Sequence, residues 1–407
     1  MKNIVIASGK GGTGKTFIAT NIAKTLEKKG KDVTYLDCDV EEPNGHLFLK
    51  PDSIKEIDIE IEAPLGVDEK KCIACGKCVD ACSYNAIALI KDKVLFFPEL
   101  CHVCGGCSIV CPTDAIVEDK KKIGTLKKGK SGDIEVNYAL LETGEGGMSP
   151  RLIQKVKNEK KEGINIIDAP PGTACPAVES IIDADLAVLV ADPTPFGIND
   201  LKLAVNMCRK LKTEPVVLVN RADYKDKKLR EYCKKANLEI IGEIPHDRKI
   251  AEIYSNGDLV VEEGENKYKK LFKKITETME SVSEKKRLVR KPETISYEGE
   301  KIKSTKLKQN PEGKVEGNVK ELVVISGKGG TGKTSITASF AALCENPVLA
   351  DCDVDAADLH LITEPTVRDK GLFSGGITAE IDPDKCTSCG KCREACRFDA
   401  IKKTVGS

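Results

Sequence analysis

Residues 4–16 of the 407-residue chain read Ile-Val-Ile-Ala-Ser-Gly-Lys-Gly-Gly-Thr-Gly-Lys-Thr. An apolar run that ends at a glycine-rich turn predicts a buried parallel strand. After Ser8 the chain fits Gly-x-x-x-x-Gly-Lys-Thr, in which backbone N–H groups close around phosphate oxygens and a helix N-terminus faces them. Lys15 is expected to reach the β- and γ-phosphates, and Thr16 to hold Mg²⁺. The predicted loop residues are Gly9, Gly11, Gly12, Thr13, Gly14, Lys15 and Thr16.

Further apolar runs, bounded by turn residues, predict more buried parallel strands. Helical stretches alternate with these runs, and one is expected to begin after Ser149 as N-cap, with Pro150 at its first position. The alternation predicts an α/β fold with a doubly wound parallel sheet. The runs are 3–7, 33–36, 164–167, 186–191, 215–219 and 239–244.

Part of the chain is repeated. Asp37-Cys38-Asp39-Val40 recurs at 351–354, and the cysteine run that begins at Cys72 recurs from Cys386, 35 positions after the first Asp in both copies. Duplication explains this agreement better than chance, although the second copy stops inside its cysteine region. The phosphate-loop pattern recurs at Gly327, Lys328, Gly329, Gly330, Gly332, Lys333 and Thr334.

The repeat and the cysteine positions predict four parts. A P-loop domain comprises 1–63 and 119–280, interrupted by a small α+β insert at 64–118. Residues 281–319 are rich in lysine and poor in apolar periodicity, so they are predicted to be a linker. Residues 320–407 are an incomplete second copy, with the start of a second insert.

Cysteine spacing indicates metal rather than disulfides. Twelve of the 18 cysteines fall in three runs spaced C-x₂-C-x₂-C-x₃-C, two of them inside the insert. This is the spacing of bacterial two-cluster ferredoxins, in which the fourth cysteine of each run ligates the other cluster. Zinc is the alternative, but structural zinc sites use separated C-x₂-C pairs. One [4Fe-4S] cluster is assigned to Cys72, Cys75, Cys78 and Cys111, and the other to Cys101, Cys104, Cys107 and Cys82.

The third run lacks a matching partner run. A cluster on this run would be incompletely ligated unless its last cysteine rearranged or another chain contributed a ligand. His102 lies among the cysteines of the insert and is expected to be exposed. The run consists of Cys386, Cys389, Cys392 and Cys396.

Composition excludes several classes. Lys plus Arg equals Asp plus Glu at 64 each, so no global field favours nucleic acid or an anionic membrane. No apolar run is long enough to span a bilayer, and the amino-terminal strand leaves no room for a signal peptide. A cytoplasmic location is expected. The stretch 267–279 is predicted to be a helix that packs on its own sheet rather than on a membrane.

The motif Lys10-Gly-Gly-x-Gly-Lys15-Thr16 resembles the deviant Walker A loop of the MinD, Mrp and nitrogenase-iron-protein group. Together with the cysteine insert, the chain resembles MinD-superfamily ATPases that contain an inserted ferredoxin. The resemblance implies ATP and Mg²⁺ as ligands and two facing nucleotide domains, with Lys10 crossing between them. It assigns Asp39 to the first switch, Asp168 to the Walker B position, and the adenine pocket to Asn220, Arg221 and Pro245.

Asp37 could share the switch role or only cap its strand. Cys175 lies where the nitrogenase iron protein has a cluster ligand, but ordinary packing is favoured for it. Packing is also expected for Cys38, Cys208, Cys233, Cys344 and Cys352.

Three functions remain open: an ATPase that couples dimer switching to electron transfer, a cluster scaffold or carrier of the Mrp type, and a positional or regulatory switch whose clusters are structural or sensing. The expected partners are a second subunit or an intramolecular pseudo-dimer, and a redox protein or an apo iron–sulfur protein. Neither nucleic acid nor a membrane is expected. One ATP site per chain is predicted, in residues 1–280, with homodimers forming through the first copy.

Overall fold

The structure is a computed structural model, and it describes residues 2–222, 227–289, 321–325, 332–354, 357–369, 379–398 and 400–401. Nine strands of this part of the chain form one mixed, mostly parallel sheet in the order β11-β10-β9-β1-β8-β2-β7-β6-β3. A separate hairpin pairs β4 with β5. The strands are β1 Lys2–Ala7, β2 Val33–Asp37, β3 Asp52–Val67, β4 Ile87–Ile90, β5 Lys93–Phe96, β6 Ile116–Ser131, β7 Ile134–Leu141, β8 Ile164–Asp168, β9 Leu186–Ala191, β10 Val216–Ala222 and β11 Ile240–Pro245.

Helices cover both faces of the sheet, as the doubly wound prediction requires. Alternate residues of β1 show why, because Ile4 and Ile6 belong to one buried layer and Val5 and Ala7 to the other. The helices are α1 Lys15–Lys28, α2 Gly45–Leu49, α3 Lys77–Ala81, α4 Gly106–Val110, α5 Ser149–Lys157, α6 Cys175–Ile181, α7 Pro195–Lys210, α8 Lys227–Lys235, α9 Arg248–Ser255, α10 Val260–Glu263, α11 Asn266–Val289, α12 Lys333–Leu343, α13 Leu359–Thr363 and α14 Lys391–Ala395.

The six predicted strands are present, and three further strands of the large sheet, β3, β6 and β7, were missed. β3 and β6 are 16-residue partners that pair antiparallel and lead into and out of the cysteine-rich segment. β3 forms the edge of the sheet and alternates charged with apolar residues, and β6 beside it is rich in lysine, so neither strand carries a continuous apolar run. The antiparallel pairing of β6 with β7 joins them to the parallel part of the sheet.

Two predictions about helices need correction. The linker was expected from residue 281, but α11 continues to Val289 because Val282 and Ser283 are buried against the domain. Residues 290–320 lie outside the described part. Ser149 was expected as an N-cap, but it is the first helical residue, and its hydroxyl donates to Glu41 Oε1 at 2.9 Å.

The predicted packing of 267–279 is confirmed, since Ile275 and Met279 are buried in the core beside α1. Among the described helices, none has the length and apolar character needed to cross a bilayer.

Candidate functional site

The phosphate loop occupies the turn between β1 and α1. A Cβ on Gly9 would lie 2.1 Å from the carbonyl oxygen of Asp200, so only glycine allows α7 this close. Gly14 has φ 92°, and a Cβ there would also meet the side chain of Asn220 at 2.5 Å. Lys15 is buried at the start of α1 with 7% exposure. The loop therefore has the geometry in which backbone N–H groups surround an anion.

Asp39 and Asp168 interact electrostatically with Lys15, and Asp37 lies beside them at the carboxyl ends of neighbouring strands. Asp37 ends β2 and Asp168 ends β8, and these two residues pair across the sheet. Asp168 Oδ2 accepts a hydrogen bond of 2.9 Å from the Tyr35 hydroxyl, while its Oδ1 is buried without a hydrogen-bond partner. A buried carboxylate oxygen without a partner is what a Walker B residue presents to the hydrated Mg²⁺ of a nucleotide.

The pKa values of these carboxyls follow from burial and mutual repulsion. Burial raises the pKa of Asp39 to about 7; Lys15 opposes this shift and the charge of Asp168 adds to it. Burial also raises the pKa of Asp168, although the charge of Lys15 and hydrogen bonds from Thr16 and Tyr35 act to lower it. A bound cation favours the ionised form of the Asp39 and Asp168 carboxyls. These carboxylates and the Thr16 hydroxyl therefore form a donor set that fits Mg²⁺.

Asp37 holds the first switch in place. It is fully buried and accepts the N–H groups of Asp39, at 3.1 Å, and of Gly45, at 2.9 Å. Burial, followed by the charge of Asp168, raises its pKa well above the usual range. These contacts assign Asp37 to the capping role that the sequence left open.

The residues predicted to contact adenine lie beside the loop. Asn220 Nδ2 donates to the carbonyl of Thr13 at 2.7 Å, and Arg221 donates to that of Gly12 at 3.1 Å. Pro245 ends β11 and pairs with Ala222 of β10, so it lies at the same edge. In this conformation Asn220 and Arg221 brace the phosphate loop.

Asp192 follows β9 in the motif Asp192-Pro193-Thr194-Pro195-Phe196-Gly197, to which the sequence assigned no role beyond the family resemblance. In the structure it fixes Arg221 through an ion pair of 3.0 Å.

Lys10 pairs with carboxylates of the same chain. Its Nζ lies 2.5 Å from Asp358 Oδ2 and 3.8 Å from Asp353 Oδ2, both in the second copy. Asn199 Nδ2 also donates to Asp358 at 3.4 Å, and Asp358 is only 2% exposed. Burial alone would lower the pKa of Lys10. The nearby carboxylates of Asp358 and Asp353 outweigh that effect, so the pKa of Lys10 is raised. A lysine expected to face a second nucleotide domain therefore contacts the repeated copy.

The cysteines of the insert surround two cavities. Ala74 and Val103, in the two loops, have the same left-handed φ of 53°, each followed two residues later by a glycine with positive φ. Backbone N–H groups of Ala86 and Ala115 point at Cys82 and Cys111 sulfurs, at 3.3 and 3.2 Å. The first cavity is lined by Cys72, Cys75, Cys78 and Cys111, and the second by Cys82, Cys101, Cys104 and Cys107.

The donor set of each cavity fits a cluster. Four cysteines line each cavity, and backbone N–H groups point at one sulfur of each set, which suits a [4Fe-4S] cube.

His102 is half-buried, which corrects the expectation that it is exposed. Its ring stacks on Tyr84 with centroids 3.8 Å apart.

The third run has the same loop conformation, with φ 53° at Ser388 and 79° at Gly390. Its first three cysteines are exposed and Cys396 is half-buried. The run lies against the insert, since Arg397 makes a two-pronged ion pair of 2.8 and 2.9 Å with Glu118. The recurring Gly327, Lys328, Gly329 and Gly330 lie outside the described residues, whereas Gly332, Lys333 and Thr334 begin α12.

The packing predictions for the loose cysteines divide into two groups. Cys38, Cys208 and Cys233 are buried, as predicted. The prediction is wrong for Cys344 and Cys352, which are exposed because no described strand of the second copy covers them. Cys175 is also exposed, at the start of α6, so it does not serve as packing.

Comparison with known proteins agrees with this geometry. Residues 4–260 match the CobQ/CobB/MinD/ParA nucleotide binding domain. The chain belongs to this family. Residues 379–402, which contain the third cysteine run, match a 4Fe-4S binding domain.

Relatives lie mainly among archaeal proteins. An uncharacterized protein of Methanocaldococcus jannaschii is 31% identical over 54% of this chain and 77% of its own length. The iron-sulfur cluster carrier protein of Pyrococcus abyssi is 24% identical over 68% of this chain and 84% of its own length. Among solved structures, the septum site-determining protein MinD of Pyrococcus horikoshii with Mg-ADP is 21% identical, with a TM-score of 0.46, over 70% of this chain and 99% of that one. This chain is thus an ATP-binding MinD-like protein with a 4Fe-4S binding region.

Proposed function

We propose that this protein hydrolyses ATP in residues 1–63 and 119–280 and uses the nucleotide state to control electron transfer from two [4Fe-4S] clusters in 64–118. One observation supports this most strongly: two complete sets of four cysteines lie between β3 and β6, two strands of the same sheet whose strand β2 leads to the switch residue Asp39. Complete cysteine ligation suits a retained redox centre.

The residues of the nucleotide site have separate tasks. Lys15 and the loop N–H groups would bind the phosphates, and Thr16 and Asp168 would hold Mg²⁺ with its waters, which would supply the positive charge that offsets charge developing on the phosphates. Asp39, with its raised pKa of about 7, orients the attacking water and can take up its proton. Lys10 and the carboxylates of Asp353 and Asp358 form the contact between the two copies, as an intramolecular pseudo-dimer.

Reduction potentials test this proposal. In anaerobically purified full-length protein, a non-hydrolysable ATP analogue with Mg²⁺ is expected to shift the midpoint potential of at least one cluster, measured by EPR-monitored titration. Lys15→Ala is the control, because it should remove the shift together with nucleotide binding. Identical potentials with and without bound nucleotide would contradict redox control.

Cluster delivery is a second candidate, favoured by one observation. Cys386, Cys389 and Cys392 are exposed, and a cluster held by three exposed thiolates would be labile. Relatives such as that of Pyrococcus abyssi are named iron-sulfur cluster carrier proteins. Transfer of iron to an apo-ferredoxin, lost in Cys389→Ala and retained in Cys75→Ala, would support delivery from the third run.

A further inference from the structure

The switch loop is tied to the start of α5. Val40, one residue after Asp39, is 1% exposed, and its carbonyl accepts the N–H of Leu141 at 2.9 Å. Glu41 accepts the hydroxyl hydrogen bond of Ser149, which is fully buried. A displacement of the switch loop is therefore transmitted to the residues at the start of α5.

The same end of α5 contacts the second cysteine cavity. Arg151 donates to the carbonyl of Val103 at 2.9 Å, and the N–H of Val103 donates to Cys101 Sγ at 3.4 Å. Val103 is 1% exposed and has the left-handed φ of 53°, so its peptide groups have little freedom to reorient independently.

The backbone just before α5 lies close to the same cavity. A Cβ built on Gly147 would lie 3.1 Å from the His102 ring, so this ring packs near the Gly147 backbone. His102 stacks on Tyr84, two residues after Cys82, which lines the second cavity. Both contacts from the segment 147–151 thus reach loops that carry the ligands assigned to the second cluster.

We infer that Ser149 and Arg151 are positioning residues that transmit the nucleotide state from Asp39 to the second cluster, the one assigned to Cys82, Cys101, Cys104 and Cys107. The inference rests on the proposed redox function and adds which cluster responds. Hydrogen bonds to cluster sulfurs set reduction potentials. A shift of α5 moves the Val103 peptide and with it the N–H bond to Cys101 Sγ. The hydrogen bonds of Ser149 and Arg151 given above lead to the second cavity, so the second cluster is expected to respond and the first to keep its potential.

Single-cluster backgrounds make the test specific. In full-length protein purified anaerobically, Cys78→Ala leaves the second cluster and Cys107→Ala leaves the first. Titrations with and without the non-hydrolysable ATP analogue are expected to show a potential shift in the Cys78→Ala protein and none in the Cys107→Ala protein. A shift confined to the first cluster, or equal shifts in both, would overturn the inference while leaving redox control intact. No shift in any protein would overturn both.

Variants of the connection complete the test. In the Cys78→Ala background, Arg151→Ala and Ser149→Ala should each abolish the nucleotide-dependent shift while calorimetry shows unchanged nucleotide affinity. Arg151→Lys keeps a donor for Val103 and should retain part of the shift. Arg397→Ala is the matched control, because Arg397 also lies against Gly105 of this loop but contacts Glu118 instead of α5. Retention of the full shift in both Arg151→Ala and Ser149→Ala would refute the connection.

Discussion

The chain contains the same acidic turn twice, and the two copies share their local geometry. Asp37 accepts the N–H groups of Asp39 and Gly45 at 3.1 and 2.9 Å. Asp351 accepts those of Asp353 and Leu359 at 3.1 and 3.0 Å. A short stretch of sequence is enough to form this turn, since its hydrogen bonds span only a few residues.

The two copies differ in what supports the turn. Asp37 lies at the end of a strand between β7 and β8 and is fully buried, whereas Asp351 is exposed and no strand is described around it. The helix after the first loop buries ten of its side chains, and the helix after the second buries none. The spacing from loop glycine to acidic turn is 28 positions in the first copy and 24 in the second. Distant strands complete the sheet around the first turn, whereas no strand is described around the second.

Lysine substitution is expected to give the largest difference between the copies. Lys15→Ala should abolish ATP turnover because it removes the main phosphate contact from a buried position. Lys333→Ala, the equivalent change in the second copy, should leave turnover nearly unchanged. Phosphate release under saturating Mg·ATP measures both. Equal losses in the two variants would show that the second loop works with the first.

Removal of one cysteine should separate the complete runs from the incomplete one. Cys78→Ala should lower the iron of the insert from about eight to about four atoms, because one cube loses a ligand and the other keeps all of its own. Cys392→Ala is the equivalent change in the third run and should leave both EPR signals of the insert. Stoichiometric zinc without iron in anaerobic preparations would contradict the cluster assignment.

Substitution of the two equivalent carboxylates, Asp39 and Asp353, should change ATP turnover by a smaller factor than the lysine substitutions do. Asp39→Ala is expected to slow turnover by about 100-fold, the scale of a lost acid–base group, while nucleotide binding remains. Asp353→Ala should have little effect on turnover. Single-turnover hydrolysis separates the chemical step from binding, and a normal chemical rate in Asp39→Ala would remove this residue from the mechanism.

The raised pKa of Asp39 predicts a pH dependence. Below its value of about 7 the carboxyl is protonated, so binding of Mg·nucleotide must release a proton. Affinity should therefore fall by up to about tenfold per pH unit below pH 7 and level off above it. Calorimetry across pH 5.5–8.5 checks this, and Asp39→Asn should flatten the profile. Because burial also raises the pKa of Asp200 to about 7, Asp200→Asn serves as the control that should keep the slope.

Loss of the contact between the two copies should have the smallest effect of these changes, and the effect should appear in the dimer fraction. Asp358→Asn removes a charge from the buried pair with Lys10 and is expected to raise the fraction of ATP-dependent homodimer by about fivefold, equivalent to about 1 kcal/mol. Sedimentation velocity with the ATP analogue measures it. Asp384→Asn, a substitution at an exposed position elsewhere in the second copy, should leave the dimer fraction unchanged. An unchanged dimer fraction in Asp358→Asn would mean that this pair does not compete with dimerisation.

Much of the fold was predictable, because buried parallel strands such as β1 and β9 are continuous apolar runs. The half-exposed strands β3 and β6 gave no such run, and their pairing depends on residues 49 to 78 positions apart. The phosphate loop and the cysteine runs were visible as local spacing. The positions of Arg151 and Asp358 were not, since a side chain that links two distant segments leaves no periodic signal.

A count of bound nucleotides decides whether the second phosphate loop contributes a working site. Titration of the full-length chain with a non-hydrolysable ATP analogue and Mg²⁺ should give one nucleotide per chain, because only the first copy carries Asp168, Asn220 and a completed sheet. Two nucleotides per chain would contradict the account and make the second copy a functional ATP-binding partner.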